Sequence, residues 1–191
     1  VKRGAAALLG CLFVVTGATA LIAEQAYEKL LETLVGTSTH AAAAVLSIYF
    51  AGLMLGGWAY RFWRKLPVRP LTLYALLELG VGLWSLLLYA TFEHLIGAFV
   101  PFLRLANGSL PKLQLLRILT AAVWILPPTT LMGSTFPAVV DALREQFDNT
   151  RRAISAFYAL NLLGATAAAA AGPYLVFATI GVDGALLVTA L

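Results

Sequence analysis

The sequence predicts an all-α protein, a polytopic bundle of about six transmembrane helices. Three observations carry that prediction. The 191 residues are 61% hydrophobic and 12% charged, with a mean hydropathy of +0.87, whereas a soluble domain is nearer half apolar and a quarter charged. The apolar residues fall in runs long enough to cross a hydrocarbon core, which takes about 20 residues. The sequence shows no short alternating segments of the kind a β-barrel needs. Spans are expected at about 5–27, 41–62, 71–92, 115–143 and 153–178, with a sixth from 184 that is cut off at 191, all in one domain, 1–191. Because the chain opens on Val1 and stops inside a span, it is expected to start after a trimmed N-terminus and to be followed by more protein.

Composition also excludes functions. Cys11 is the single cysteine, so no disulfide forms within the chain and no cysteine metal site exists. It reads as a small packing residue in the first apolar run. The net charge of +4 is spread over loops, where membrane topology explains it, and gives no case for nucleic acid.

The first helix is expected from about Ala5 to about Leu34. Lys2 and Arg3 ahead of it resemble the start of a signal peptide, but no small-residue cleavage pattern follows and further spans do, so it reads as a retained helix. Glu24, Glu28 and Glu32 recur every fourth residue and share one side. They mark either a helix end among outer headgroups or an acidic stripe facing the bundle. Glu24 is the deepest of them. Gly36, Thr37 and Ser38 form a turn, with Thr37 or Ser38 as N-cap.

The second helix, about His40 to Phe62, carries Gly52 and Gly56, a pair that admits another helix closely. Arg61, Arg64, Lys65 and Arg69 follow, broken by Pro67 and Pro70, and make a basic cytoplasmic loop. The third helix is expected from about Leu71 to Leu95. Glu78 lies two turns inside it, where a charge costs ~2.5–3.5 kcal/mol unless it faces the interior or a partner. It is either an interior carboxylate or one that snorkels to the cytoplasmic interface. Glu24 and Glu78 enter from opposite sides and are expected to differ in depth by roughly 10–15 Å, so they are not paired. An interfacial helix is expected over Ile96–Leu105. Asn107-Gly108-Ser109 fits the N-glycosylation pattern, to which no weight is given.

The fourth helix is expected from about Lys112 to Leu143 and contains LPPTTLMGSTFPAVVDAL. Pro127, Pro128 and Pro137 remove backbone donors, so a helix there must kink or restart. It is either a Pro-kinked span or a discontinuous helix bordering a substrate site. Arg144, Arg151 and Arg152 flank the turn at Asp148-Asn149. In the fifth helix, about Ala153 to Ala178, Gly164, Ala168 and Gly172 give a smooth packing face, and Tyr158 and Asn161 are polar residues in its cytoplasmic third. Gly181, Asp183 and Gly184 form an outer turn. With the N-terminus inside, nine basic residues fall on cytoplasmic ends and four outside, the bias that sets orientation.

TGATALIAEQAYEKLLETLVG and AAAAVLSIYFAGLMLGGWAYRF, followed in order by RPLTLYALLELGVGLWSLLL, LPPTTLMGSTFPAVVDAL, FYALNLLGATAAAAAGPYL and GVDGALLVTAL, resemble the membrane-bound spermidine synthase-like proteins. These are bacterial proteins with a multi-span N-terminal domain similar to half of a major facilitator transporter and a soluble aminopropyltransferase-like domain after it. The resemblance covers nearly the whole chain. It implies a half-major-facilitator-like bundle in a bacterial plasma membrane. Glu24, Glu78, Gly133, Pro137, Tyr158, Asn161 and Gly164 fall where the family has the same residue types. The chain departs from the pattern at Ala23, where an aromatic is usual, and at a loop arginine replaced by Glu or Lys. The Gly57–Lys65 stretch resembles the facilitator loop between helices 2 and 3 but lacks its acidic residue.

No strand–glycine–helix unit for a nucleoside cosubstrate is present, so the chain itself carries no catalytic residue, cofactor or metal. Three functions follow as expectations. The chain is a membrane domain that anchors, or feeds an amine to, a cytoplasmic aminopropyltransferase-like domain lying outside these residues, with Glu24, Glu78, Asn161 and Tyr158 as candidate substrate contacts. Alternatively it is half of an amine facilitator, completed by a second half or a homodimer. As a third reading it is an accessory subunit whose faces at Gly52/Gly56 and Gly164/Ala168/Gly172 pack on partner helices. One haem held between His40 and His94 is a weaker idea.

Overall fold

The computed structural model describes residues 3–36, 39–104 and 108–189, with side chains throughout except at 3–6, 33–34, 40–41, 92–93, 95–96, 98–99 and 102–103. The helices are α1 (Arg3–Val35), α2 (Thr39–Trp63), α3 (Pro70–Leu103), α4 (Leu110–Gln146), α5 (Thr150–Ala171) and α6 (Phe177–Thr189). Five helical runs are long and apolar enough to cross a membrane, and the chain is a helical membrane protein. The expected sixth span is not among them. Residues 182–189 form a short arm behind Gly181, whose φ of 70° and ψ of −174° interrupt α6. Only glycine adopts such a conformation freely. Between α5 and α6, Gly172–Val176 form a π-helical turn, where Pro173 cannot donate to the carbonyl four residues back.

Other expectations are also corrected. No separate interfacial helix occurs over 96–103, because α3 continues to Leu103. Pro101 removes only the bond to residue 97, near the helix end. The run through Pro127, Pro128 and Pro137 neither breaks nor restarts, and α4 passes through all three. At Pro128 a neighbouring group compensates. The Trp84 indole donates to the Trp124 carbonyl, which lacks the Pro128 donor, at 3.0 Å. Cys11 faces outward rather than into the packing, as do Leu8, Leu12 and Val15 around it. The Thr37/Ser38 cap and Asn107 lie outside the described residues.

The helices pair α1 with α5, α2 with α4 and α3 with α4. The first two pairs are parallel, as the order of contacts shows: Val14 meets Gly164 and Gln25 meets Gly172, while Gly52 meets Thr129 and Gly56 meets Ser134. All four faces use small residues, so backbones touch. The Ser134 hydroxyl donates to the Gly56 carbonyl at 2.8 Å, joining α4 to α2. The faces at Gly52/Gly56 and Gly164/Ala168/Gly172 therefore pack within the chain. The arm 182–189 buries Ala185 and Leu186 against Ala26, Tyr27, Leu30 and Leu88.

The two parallel pairs are copies of one another. A Cβ on Gly56 would strike the Thr130 carbonyl and the Ser134 amide, and one on Gly164 would strike the Val14 carbonyl and the Ala18 amide. Gly133 rests on the Leu53 carbonyl, and Gly17 rests on the Asn161 carbonyl. Adding 116 carries α1 positions 14, 17 and 18 onto α4 positions 130, 133 and 134, and adding 108 carries α2 positions 53 and 56 onto α5 positions 161 and 164. Since α1 and α4 run in opposite directions, the relation between the two contacts is that of a two-fold axis perpendicular to the helices. Helices α1–α2 and α4–α5 thus repeat in inverted orientation at their contacts, whereas α3 is one continuous helix and Gly172–Thr189 is interrupted at Gly172–Val176 and Gly181.

A central cavity and its carboxylate

A cavity of about 220 Å³ lies inside the bundle. Its walls follow from helical spacing, which places residues three and four apart on one face. On α1 the lining positions are Phe13, Thr16, Thr19, Ala20 and Ala23, and on α4 they are Met132, Thr135, Phe136, Val139, Val140 and Leu143. The pairs 16/132, 19/135, 20/136 and 23/139 are equivalent under the repeat, while Phe13, Val140 and Leu143 have no lining counterpart. On α2 they include Tyr49 and Leu53, whose counterparts Phe157 and Asn161 line the cavity from α5. Part of the cavity wall thus follows the two-fold relation, while Ile154 and Tyr158, like Phe13, Val140 and Leu143, lie outside it. Helix α3 adds Tyr74, Glu78 and Val81, and the arm of α6 adds Thr189.

Chemically the cavity is not symmetric. Glu78 faces it, while Leu76 and Leu79 point out to the surroundings and Leu77 packs against Ala138 and Tyr60. The Tyr74 hydroxyl, one turn earlier, interacts with both Glu78 and Thr16. The Asn161 amide donates to the Phe13 carbonyl at 3.2 Å and to the Thr16 hydroxyl at 3.5 Å. Phe13 stacks on Tyr74 at 6.0 Å and tilts against Phe157 at 5.0 Å, which holds this group in place. A chain of polar groups, Glu78–Tyr74–Thr16–Asn161, thus runs along the α3, α1 and α5 wall. Helices α2 and α4 line the cavity with Leu53, Met132, Thr135 and Phe136, and the Tyr49 hydroxyl donates to the Met132 sulfur at 3.8 Å.

Both ion pairs among the described residues belong to Asp141. Glu78 has none. Asp141 accepts from the Tyr60 hydroxyl at 2.9 Å and from Arg144 at 3.1 Å, with Arg64 at 3.9 Å. It supplies, from α4, an acidic group opposite the basic loop that follows α2.

Of the sequence-derived candidates, Glu78, Asn161 and Tyr158 line the cavity and Glu24 does not. Tyr158 is largely exposed, edge-on to Phe136 at 5.9 Å. Glu24 is half-buried, and its neighbours include Tyr49 and Glu28. Its depth relative to Glu78 is smaller than expected. Tyr27 meets Ser85 and Thr16 meets Tyr74, an offset of 58 in each case, so Glu24 is level with position 82. That is four residues from Glu78, about 6 Å at 1.5 Å per residue. The reason is that α1 begins well ahead of α3, since Pro70 stands level with position 12. Pro127, Pro128 and Pro137 do not line the cavity, although Met132, Thr135 and Phe136 between them do. His94 is exposed, the His40 side chain lies outside the described ones, and no group of three metal-ligating residues occurs among the described residues.

Sequence reasoning missed Tyr74, Thr16, Tyr49 and Met132. Tyr74 had a signal, since it stands one helical turn before Glu78. Comparison with protein-family models, with curated proteins and with solved structures returned no match.

Proposed function

We propose that the chain is the membrane domain of a spermidine synthase-like protein and that its cavity holds an amine, with Glu78 as counter-ion. The supporting observation is the Glu78 carboxylate itself. It faces a cavity inside an apolar bundle, beside the Tyr74 hydroxyl, and no cation among the described residues pairs with it. A carboxylate in such a position is costly without a partner, and an ammonium group is the partner the site itself does not contain. The domain would anchor, or pass the amine to, a cytoplasmic aminopropyltransferase-like domain outside these residues. It would lie in a bacterial plasma membrane with its N-terminus cytoplasmic, the arrangement favoured by the basic residues around 61–69 and 144–152.

A half-facilitator reading is favoured by one further observation, the inverted relation of α1–α2 to α4–α5 with a cavity between them, an architecture used by transporters. A half of this kind would work with a second half or a second copy. The accessory-subunit reading would need another face, because Gly52, Gly56, Gly164, Ala168 and Gly172 pack within the chain.

The test is calorimetric titration of primary aliphatic amines into the protein in lipid nanodiscs. Saturable binding that is lost in Glu78→Gln and kept in Glu24→Gln supports the reading. Equal binding by Glu78→Gln overturns it. Amine uptake into proteoliposomes then separates transport from presentation.

A further inference from the structure

We infer that one anionic phospholipid binds along the outer face of α2, with its phosphate between Arg61 and Lys65 and an acyl chain on the apolar residues before them. The inference goes beyond the amine-binding reading and does not depend on it. Trp58, Arg61, Phe62 and Lys65, at the end of α2, are spaced three and four apart, so they share one face, and all four are exposed. The Trp58 and Phe62 rings meet edge to face at 5.2 Å and form a corner. The Arg61 guanidinium lies in it, 3.8 Å from the centre of the first ring and 4.6 Å from that of the second. The Lys65 ammonium lies 5.9 Å from the Phe62 ring centre. Such contacts hold a cation against the negative face of a ring, without supplying it a hydrogen-bond acceptor.

The other side of the same helix end is different. Tyr60 and Arg64 turn toward α4, where Asp141 accepts from the Tyr60 hydroxyl and lies 3.9 Å from Arg64. Both ion pairs among the described residues are made by that carboxylate, and neither includes Arg61 or Lys65. Two like charges four residues apart on a helix repel, so this face gains from an anion placed between them. A guanidinium held in one orientation presents a fork of donors that matches a phosphate. The membrane-spanning run Ala42–Trp63 ends between the two cations, which puts them at headgroup level. The apolar part of the face says where the phosphate comes from. Met54 and Leu55 are exposed one turn before Trp58 and continue the same stripe. Lys65 is 11 residues on from Met54, about 16 Å along the axis at 1.5 Å per residue, and one leaflet of the hydrocarbon core is ~15 Å deep. An acyl chain descending from a phosphate at this level therefore runs its length beside these side chains. A headgroup with its own ammonium would bring a third positive charge to the site, so the lipid is anionic rather than zwitterionic.

The experiment titrates the detergent-purified protein with dioleoyl phosphatidylglycerol, dioleoyl phosphatidylcholine or the cationic dioleoyl trimethylammonium propane, and counts bound lipid by native mass spectrometry. One copy of phosphatidylglycerol is expected to bind roughly 5-fold or more tightly than phosphatidylcholine. Arg61→Ala should weaken that copy by a similar factor. Trp58→Leu keeps the charge but removes the ring that seats it, and should weaken the lipid about 2-fold or more. Arg152→Ala removes another exposed charge and should change the affinity less than about 2-fold. Arg61→Glu combined with Lys65→Glu is expected to bind the cationic lipid more tightly than phosphatidylglycerol, a reversal that a misfolded protein would not give. Equal losses in Arg61→Ala and Arg152→Ala would reduce the preference to diffuse charge and overturn the inference. Phosphatidylcholine binding as tightly as phosphatidylglycerol would also overturn it. So would displacement of the lipid by an equal concentration of glycerol 3-phosphate, which would make the ligand a soluble phosphate.

Discussion

The Trp84 indole N–H donates to the Trp124 carbonyl at 3.0 Å, and Trp124 is the residue whose helical donor would have been Pro128. Proline has no N–H, so α4 would otherwise expose an unmatched carbonyl to an environment without water, a costly condition. The bond also ties α3 to α4 beside the tilted contact of the two indoles at 6.0 Å. Trp84→Phe should therefore destabilise the bundle by ~1–3 kcal/mol. Pro128→Ala restores the internal donor, so the loss caused by Trp84→Phe should shrink in that background. A double-mutant cycle on unfolding midpoints in detergent measures this, with coupling of about 1 kcal/mol or more expected. Additive effects would show that the indole is not replacing the missing amide.

Gly56 and Gly164 are equivalent under the repeat, and both lie on a backbone carbonyl and amide of the neighbouring helix. Neither neighbour is a side-chain end that can swing away. Gly56→Ala and Gly164→Ala should each cost about 1–3 kcal/mol or more, the range for overpacking. Gly57→Ala is the control. It has open space where its Cβ would go, and it should be neutral or more stable by up to ~1 kcal/mol because a helical glycine is removed. Thermal unfolding of the three variants side by side checks the pattern.

Tyr60 is buried and donates to Asp141 at 2.9 Å, whereas Arg64 is exposed and 3.9 Å from the same carboxylate. A hydrogen bond to a charged group is worth ~1.5–3 kcal/mol, while an exposed ion pair is worth less than about 1 kcal/mol. Tyr60→Phe should thus be clearly more damaging than Arg64→Ala. The reverse order in unfolding measurements would make the ion pair the principal link between α2 and α4 at this end.

With the N-terminus inside, Val68 and Asp148 face the cytoplasm and Gly108 faces out. Each is exposed, so single cysteines at these positions, in a Cys11→Ser background, report topology. A membrane-impermeant maleimide should label Gly108→Cys in intact cells, and Val68→Cys and Asp148→Cys only after permeabilisation. The opposite pattern reverses the orientation.

The five long spans were legible because each is a long apolar run, and the break at Gly181 was legible from its two glycines and aspartate. The continuity of α4 was not, since the donor that replaces Pro128's amide comes from Trp84, distant in sequence. Helical periodicity placed Glu78 on a face but could not say what stood opposite. That depends on the register of α1 against α3, fixed by Tyr27 with Ser85 and Thr16 with Tyr74. The repeat was not legible because only a few small residues at the backbone contacts coincide. Gly17-Ala18-Thr19 matches Gly133-Ser134-Thr135, and Leu55-Gly56 matches Leu163-Gly164, while the flanking residues differ.

The inverted relation of α1–α2 to α4–α5 has a consequence for insertion. Helices that pack alike in both directions give their apolar surface little say over which end enters first, so the choice falls to the charges at the turns. Because α2 and α4 run parallel, Arg61, Arg64, Lys65, Arg69, Arg144, Arg151 and Arg152 gather at one end of the bundle and act there as its ballast.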